Sequence, residues 1–229
     1  LTLLGGKSTS ATLSKDTFSR FDLIARARFG LKQQDKPVTH LLDRYCDLSN
    51  NIIPSAPLAH FSTKSSDSPI AIAPGAMWES KQWPVDNFTT VVEQLLYSGK
   101  NIRLFIGPKE KQWFQESTLA KITNDNLEII NNQSLLKVAK LLGNCSCTIT
   151  NDSGLLHLSE TTNTPVVAMF GPTVKQFGYF PLLKNSKVIE HNISCRPCSR
   201  AGKRDCWRGD LACLTKISTD TVLKAVGEF

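Results

Sequence analysis

From residue 70 onward, the apolar positions of this chain fall into short runs that alternate with stretches of helical spacing. "IAIAP" (70–74), "NIRLFIG" (101–107), "LEII" (127–130), "CTIT" (147–150), "PVVAMFG" (165–171) and "KVIEH" (187–191) have the continuous apolar or β-branched character of strands buried on both faces. Between them, "DNFTTVVEQLLYSG" (86–99) sets Val91, Val92, Leu95 and Leu96 on one helix face. Asp86 is its expected N-cap and Gly99 its stop. Helices are also expected over "KEKQWFQESTLAKI" (109–122), "SLLKVAKLLG" (134–143, capped by Ser134), "SGLLHLSETT" (153–162) and "STDTVLKAVGEF" (218–229, capped by Ser218). Strands alternating with helices of this length predict βαβ units and a parallel sheet covered on both faces, a Rossmann-like domain over residues 70–229. Residues 1–50 are basic and helix-leaning with no clean strand, and the Pro-, Ser- and Asn-rich residues 51–69 read as a linker.

In an open parallel sheet, ligands bind beyond the carboxyl ends of the strands, so the four loops there that carry unusual residues share one edge. "PGAMWESKQWP" (74–84) supplies Gly75 for close backbone approach. Its Lys81 either meets a phosphate or is solvated beside two packing tryptophans, Trp78 and Trp83. "GPKE" (107–110) ends in Glu110, either a ribose hydrogen-bond acceptor or an acid favoured in the first turn of a helix. In "TNDSGLLHLSETT" (150–162), Asp152 is a natural N-cap, Ser153 and Gly154 expose the N–H groups of a helix start, and His157 stands one turn after Ser153. That cluster fits either an anion cradle or a plain capped helix. A catalytic triad is disfavoured, because three partners crowded into one turn lack the elbow and the remote partners that a serine nucleophile uses. "FGPT" (170–173) adds a tight turn and a hydroxyl. Four loops on one edge favour a nucleotide or nucleotide-sugar. The chain has neither G-x-G-x-x-G nor G-x-x-x-x-G-K-[ST], so a dinucleotide oxidoreductase or P-loop NTPase is not supported.

Composition adds little except charge and cysteine. At 229 residues, 41% hydrophobic and 21% charged, the chain reads as an ordinary globular protein, and no apolar run reaches bilayer length. A net charge of +7 points to anionic partners. The opening "LTLLGGKSTS" does not read as a secretory signal, and the leading Leu1 suggests a fragment or processed form. Four of the seven cysteines, Cys195, Cys198, Cys206 and Cys213, gather in "CRPCSRAGKRDCWRGDLAC". They fit a tetrahedral structural zinc, free or redox-linked thiols, or disulfides.

The segments "PGAMWESKQWPVDNF", "LFIGPKE" and "TNDSGLLHLSETTNTPVVAMFGPT", in that order, resemble the bacterial heptosyltransferases of glycosyltransferase family 9, and "THLLDRY" (39–45) is similar to the end of that family's N-terminal domain. The resemblance implies an α/β fold of GT-B type, here one complete Rossmann-like C-terminal domain with its parallel sheet plus a remnant (1–50) of an acceptor-side N-terminal domain. It implies an inverting transfer of heptose from ADP-heptose to the lipopolysaccharide inner core, with no cofactor required for catalysis; a structural zinc at Cys195, Cys198, Cys206 and Cys213 stays open beside free thiols and disulfides. Lys81 is then expected on the donor phosphates and Glu110 on the ribose. Asp152 faces the sugar, Ser153, Gly154 and His157 surround the diphosphate, and Gly75 and Met77 line the donor site. Met77 and Ala76 stand where some members carry hydroxyl residues. The expected partners are the nucleotide-sugar and an anionic glycolipid, with a peripheral membrane contact and no nucleic acid. The expected location is cytoplasmic, at the inner face of the bacterial inner membrane. The alternatives are another nucleotide-sugar or a zinc-stabilised nucleic-acid module. The last needs stacking aromatics among the basic residues, where only Trp207 is found. No catalytic base is assigned, because nothing in residues 1–50 matches the family's Asp beside a Gly-rich turn. It is expected in about a hundred residues ahead of Leu1.

Overall fold

The computed structural model describes residues 17–32, 38–40, 43, 64, 65 and 67–229. Most of the expected linker and most of "THLLDRY" lie outside these. Helix α1 (Thr17–Arg28) precedes a regular series: β1 (Ile70–Ala73), α2 (Val85–Tyr97), β2 (Ile102–Ile106), α3 (Lys111–Glu116), β3 (Leu127–Asn131), α4 (Leu135–Gly143), β4 (Thr148–Asn151), α5 (Gly154–Thr161), β5 (Val166–Phe170), β6 (Lys187–Glu190), α6 (Ala212–Thr215) and α7 (Thr219–Val226). The six strands form one sheet in the order β3-β2-β1-β4-β5-β6, every neighbouring pair parallel.

Successive strand residues face opposite sides, and the two faces are packed differently. Ile70 and Ile72, Ile102 and Leu104, Ile149, and Val167 and Met169 bury one face against α2 and α7 through Phe88, Val91, Val92, Leu95 and Val222. The other face carries the small Ala71 and Ala73 with Phe105 and Ile130, and is covered by Leu142 of α4. The central strands β1, β2, β4 and β5 are buried on both sides, which is why they lack polar alternation. The edge strands β3 and β6, expected to be buried on both faces, are instead partly exposed, because each has a neighbour on one side only.

Local chemistry explains where helices start and stop. Ser134 and Ser218 accept N–H hydrogen bonds from Lys137 and Thr221, as expected of N-caps. Gly99 adopts φ +76° just past α2, which only glycine does without strain. Asp86, in contrast, is not a cap. Pro84 occupies that position and Val85 begins the helix, so the Asp86 carboxylate is left to accept from the Thr118 hydroxyl at 2.8 Å. The single helix expected over 109–122 is broken into α3 and two short 3-10 turns. The buried Ser117 hydroxyl donates to the Phe114 carbonyl at 2.6 Å and its backbone is extended, a local bond that competes with helix continuation.

α1 lies against the loop after β5. The Arg20 guanidinium donates to the Phe177 carbonyl at 2.9 Å and sits over the rings of Phe177 and Tyr179, while Arg28 stacks on Trp207 at 4.1 Å.

Candidate functional site

In this strand order the chain leaves β1 toward one side of the sheet and β4 toward the other. A crevice therefore opens between their carboxyl ends. Ala73 pairs with Thr150, so Pro74 and Asp152 begin their loops side by side at that crevice. The buried Asn151 stitches the two loops together. Its side-chain oxygen accepts from the Trp83 N–H at 2.9 Å, and its amide nitrogen donates to the Pro74 carbonyl at 2.7 Å. By sequence Asn151 reads with Asp152 as the turn after "CTIT"; it is instead the last residue of β4, and a polar residue closing an otherwise apolar strand was the available signal.

The stitch brings a lysine and an aspartate together. Lys81 ends a short 3-10 turn (Glu79–Lys81), and its Nζ lies 2.6 Å from Asp152 Oδ2, with side chains only 14% and 7% exposed. The Thr173 hydroxyl, from the turn after β5, donates to the same oxygen at 2.6 Å. Asp152 is thus an ion-pair partner and not the expected N-cap. Ser153 occupies the cap position of α5, and its hydroxyl lies 3.3 Å from that of Thr150. No side chain caps this helix, so the first N–H groups of α5 lie beside the Lys81–Asp152 pair without a side-chain partner. With the helix dipole they favour an incoming anion.

His157, one turn into α5, is partly buried, with its ring edge-to-face to Tyr179 at 6.5 Å between centroids. Burial holds its pKa below the ordinary value, opposed chiefly by the Asp152 carboxylate, so the imidazole is neutral at neutral pH. Glu110 folds back on its own loop, with Oε2 accepting from the Gly107 N–H at 2.8 Å. The carboxylate also fills the space beside Gly75, where an added Cβ would lie 1.8 Å from Oε1. Gly75 therefore allows close approach to Glu110, and the two loops after β1 and β2 meet there. Met77 is 80% exposed at the rim. Trp83 is a core residue, with its indole N–H donating to the Ile217 carbonyl at 3.1 Å.

Cys195, Cys198, Cys206 and Cys213 are all reduced and line one pocket together with Ser80 and Arg204. Burial pushes the Cys198 and Cys213 thiols up to about 11. As placed, they do not form a metal-holding group, and none of three or more His, Cys, Asp or Glu occurs among the described residues. No helix among the described residues is long and apolar enough to cross a membrane.

A doubly wound α/β domain with a cation, a free helix start and a histidine at its switch point belongs to the class of α/β proteins whose strand-end crevice can receive an anionic ligand. Residues 20–207 match the family Glycosyltransferase family 9 (heptosyltransferase), and the chain belongs to that family. It is 30% identical over 124 residues to lipooligosaccharide heptosyltransferase 2 of Haemophilus influenzae, a stretch covering 52% of this chain and 35% of that protein. To lipopolysaccharide heptosyltransferase 2 of Escherichia coli K12 it is 30% identical over 133 residues, 56% of this chain and 38% of the other. The chain thus spans little more than a third of these relatives. Among solved structures, E. coli ADP-heptose lps heptosyltransferase II superimposes with a TM-score of 0.61 at 24% identity, covering 88% of this chain and 66% of that one. E. coli heptosyltransferase WaaC with ADP gives 0.59 at 21% identity, with 86% and 59% covered. The GT-B-type α/β assignment stands, with its Rossmann-like parallel-sheet domain.

Proposed function

We propose that this chain is the donor-binding part of an inverting glycosyltransferase that moves heptose from ADP-heptose to an anionic glycolipid, the lipopolysaccharide inner core. The observation that carries the reading is the Lys81–Asp152 pair set against the uncapped start of α5 at the switch point. An acceptor hydroxyl attacks the anomeric carbon, the bond from that carbon to the diphosphate oxygen breaks, and negative charge grows on the leaving nucleoside diphosphate. Lys81 turns its ammonium from Asp152 to that charge, and the N–H groups of Ser153 and Gly154 donate to it. Neutral His157 donates a ring N–H to the same oxygens, and Asp152 faces the sugar. Glu110, already aligned by Gly107, takes the ribose hydroxyls at the neighbouring loop, and Gly75 and Met77 form the rim. The acceptor base is not assigned to a residue of this chain.

Exposed Arg200, Lys203 and Arg204 on the cysteine loop support an anionic acceptor and a peripheral contact at the inner face of the inner membrane, with the protein in the cytoplasm. Trp207 is already stacked by Arg28, which argues against a base-stacking nucleic-acid surface. The shared thiol pocket supports a separate proposal, that a structural zinc draws Cys195, Cys198, Cys206 and Cys213 together. One zinc retained on purification and lost in Cys198→Ser supports it; a folded chain that takes up no zinc overturns it.

Calorimetric titration with ADP-, UDP- and GDP-sugars tests the donor reading. The expected result is binding of the ADP-sugar, weakened about tenfold or more by Lys81→Ala, the loss of one charge-assisted contact. His157→Ala weakens it less. Preference for UDP- or GDP-sugars would move the assignment to another nucleotide-hexose, and wild-type affinity in both variants would remove it.

A further inference from the structure

The cysteine loop does more than cover the domain, because both members of the Lys81–Asp152 pair are held from it. On the aspartate side, the Arg196 side chain is only 6% exposed and grips the turn after β5. Nε donates to the Gly171 carbonyl at 2.5 Å and one Nη to the Thr173 carbonyl at 2.9 Å. The Cys198 N–H donates to Pro172 between them at 3.2 Å. All three carbonyls of the turn are thus taken by this loop, and Thr173 is the residue whose hydroxyl holds Asp152 Oδ2. The guanidinium is itself oriented by Glu190 at 2.8 Å and by the His191 carbonyl at 3.2 Å.

On the lysine side, Gly202 sits against the Lys81 stem. A Cβ there would lie 2.6 Å from Cγ and 2.8 Å from Cε of Lys81, and its φ of +80° already requires glycine. The Gly202 carbonyl accepts the hydroxyl of Ser80, the residue before Lys81, and its N–H donates to Ser199 Oγ at 2.9 Å. Lys203 then places its ammonium 5.7 Å from the Trp78 ring in the same β1 loop. Seven consecutive residues therefore fix the turn that holds the aspartate and the stem that carries the lysine.

We propose that Arg196 and Gly202 are positioning residues for donor binding, and that the loop 196–202 sets the aim of Lys81 toward a nucleoside diphosphate. This rests on the reading of Lys81 as the phosphate contact. Neither residue touches the ligand; Arg196 acts through Thr173 and Asp152, Gly202 through the Lys81 stem.

Two readouts on the full chain test it. The first is the rate at which an amine-specific acylating reagent modifies Lys81, followed by peptide mass mapping. Arg196→Gln and Gly202→Ala should each speed Lys81 acylation several-fold and leave Lys187, ion-paired with Glu228 on the far edge, unchanged. The second is ADP affinity in a double-mutant cycle. Gly202→Ala should weaken ADP binding about tenfold in wild type and far less in the Lys81→Ala background, where no stem remains for the new methyl to displace and only the strain of alanine at that φ is left. Ser80→Ala, a smaller change, should follow the same pattern with a smaller loss, and it carries the test if Gly202→Ala does not fold. Arg196→Lys should restore part of the loss from Arg196→Gln. Unchanged Lys81 reactivity in the folded variants, or losses that multiply with that of Lys81→Ala, overturns the proposal. If wild type binds no ADP, the donor reading fails by itself, and Lys81 reactivity still decides the role of the loop.

Discussion

The two ends of α5 each bury a carboxylate, and the two are satisfied in opposite ways. Glu160, near the C-terminal end, is 8% exposed and receives only neutral donors. The Leu182 N–H donates at 2.8 Å, the Leu183 N–H at 2.9 Å and the Ser186 hydroxyl at 2.9 Å. Asp152, just before the helix and 7% exposed, is held by the Lys81 ammonium and one hydroxyl. Backbone donors cannot leave a carboxylate without unfolding the loop that supplies them. A lysine on a four-carbon stem can turn its charge to a competing anion at little cost. The first arrangement ties a loop to a helix; the second, under the donor reading proposed above, is a contact that an incoming anion opens at the mouth of a crevice. Burial and charge are nearly the same at both ends, so the kind of partner separates structure from function here.

The largest effect that would sharpen this contrast is on stability. Glu160→Ala strips three donors of their acceptor and should destabilise the chain by about 2 kcal/mol, measured by urea denaturation. The folded variant should bind ADP like wild type. A large loss of ADP affinity with little loss of stability would reverse the roles assigned to the two ends.

A smaller effect concerns pH. His157 lies between the two carboxylates, and a ring N–H of His40 donates to the Phe180 carbonyl, 3.0 Å away, in the loop that Glu160 anchors. Burial lowers both pKa values, outweighing the carboxylates that act to raise them: Asp152 and Glu160 for His157, Asp43 and Glu160 for His40. The unfolded chain then binds protons that the folded chain refuses, so stability falls as pH drops through about 6.5 and is fully present above it. Urea midpoints at about pH 7.5 and pH 5 should show that loss, and His157→Gln should reduce it. A steeper loss in the variant would mean that the Asp152 and Glu160 charges, not burial, dominate at His157.

The sequence made the sheet legible because fully buried parallel strands write themselves as apolar runs, and the helices between them carry their own caps at Ser134 and Ser218. The strand-end loops were legible for the same reason, since Lys81, Glu110 and His157 follow or lie just beyond apolar runs. Their pairing was not. Lys81 and Asp152 meet only because β1 and β4 are neighbours, an order that periodicity does not encode. Asp152 before a helix reads as a cap because caps are local, whereas its actual partners come from the loops after β1 and β5. Glu160 was illegible for a related reason, as a charged residue in an unremarkable stretch with partners 20 or more residues away; Arg196 stood in the cysteine stretch, but nothing local showed that it grips the turn after β5.

The finest test separates the two partners of Asp152. Thr173→Val keeps the shape of the side chain and removes one hydroxyl, and with it the 2.6 Å hydrogen bond to Oδ2. A charge-assisted bond of this kind costs about 1.5 kcal/mol to lose, and the remaining Lys81 contact offsets part of it, so the expected loss of stability is about 1 kcal/mol. For donor binding two effects oppose each other, because weakening the hold on Asp152 also frees it to follow Lys81. If the turn after β5 serves to keep Asp152 still while Lys81 moves to the diphosphate, Thr173→Val should weaken ADP binding by about threefold, well short of the loss in Lys81→Ala. Tighter ADP binding in Thr173→Val would instead mean that the pair moves as a unit, and that the contrast between the two ends of α5 lies in the mobility of the carboxylate itself.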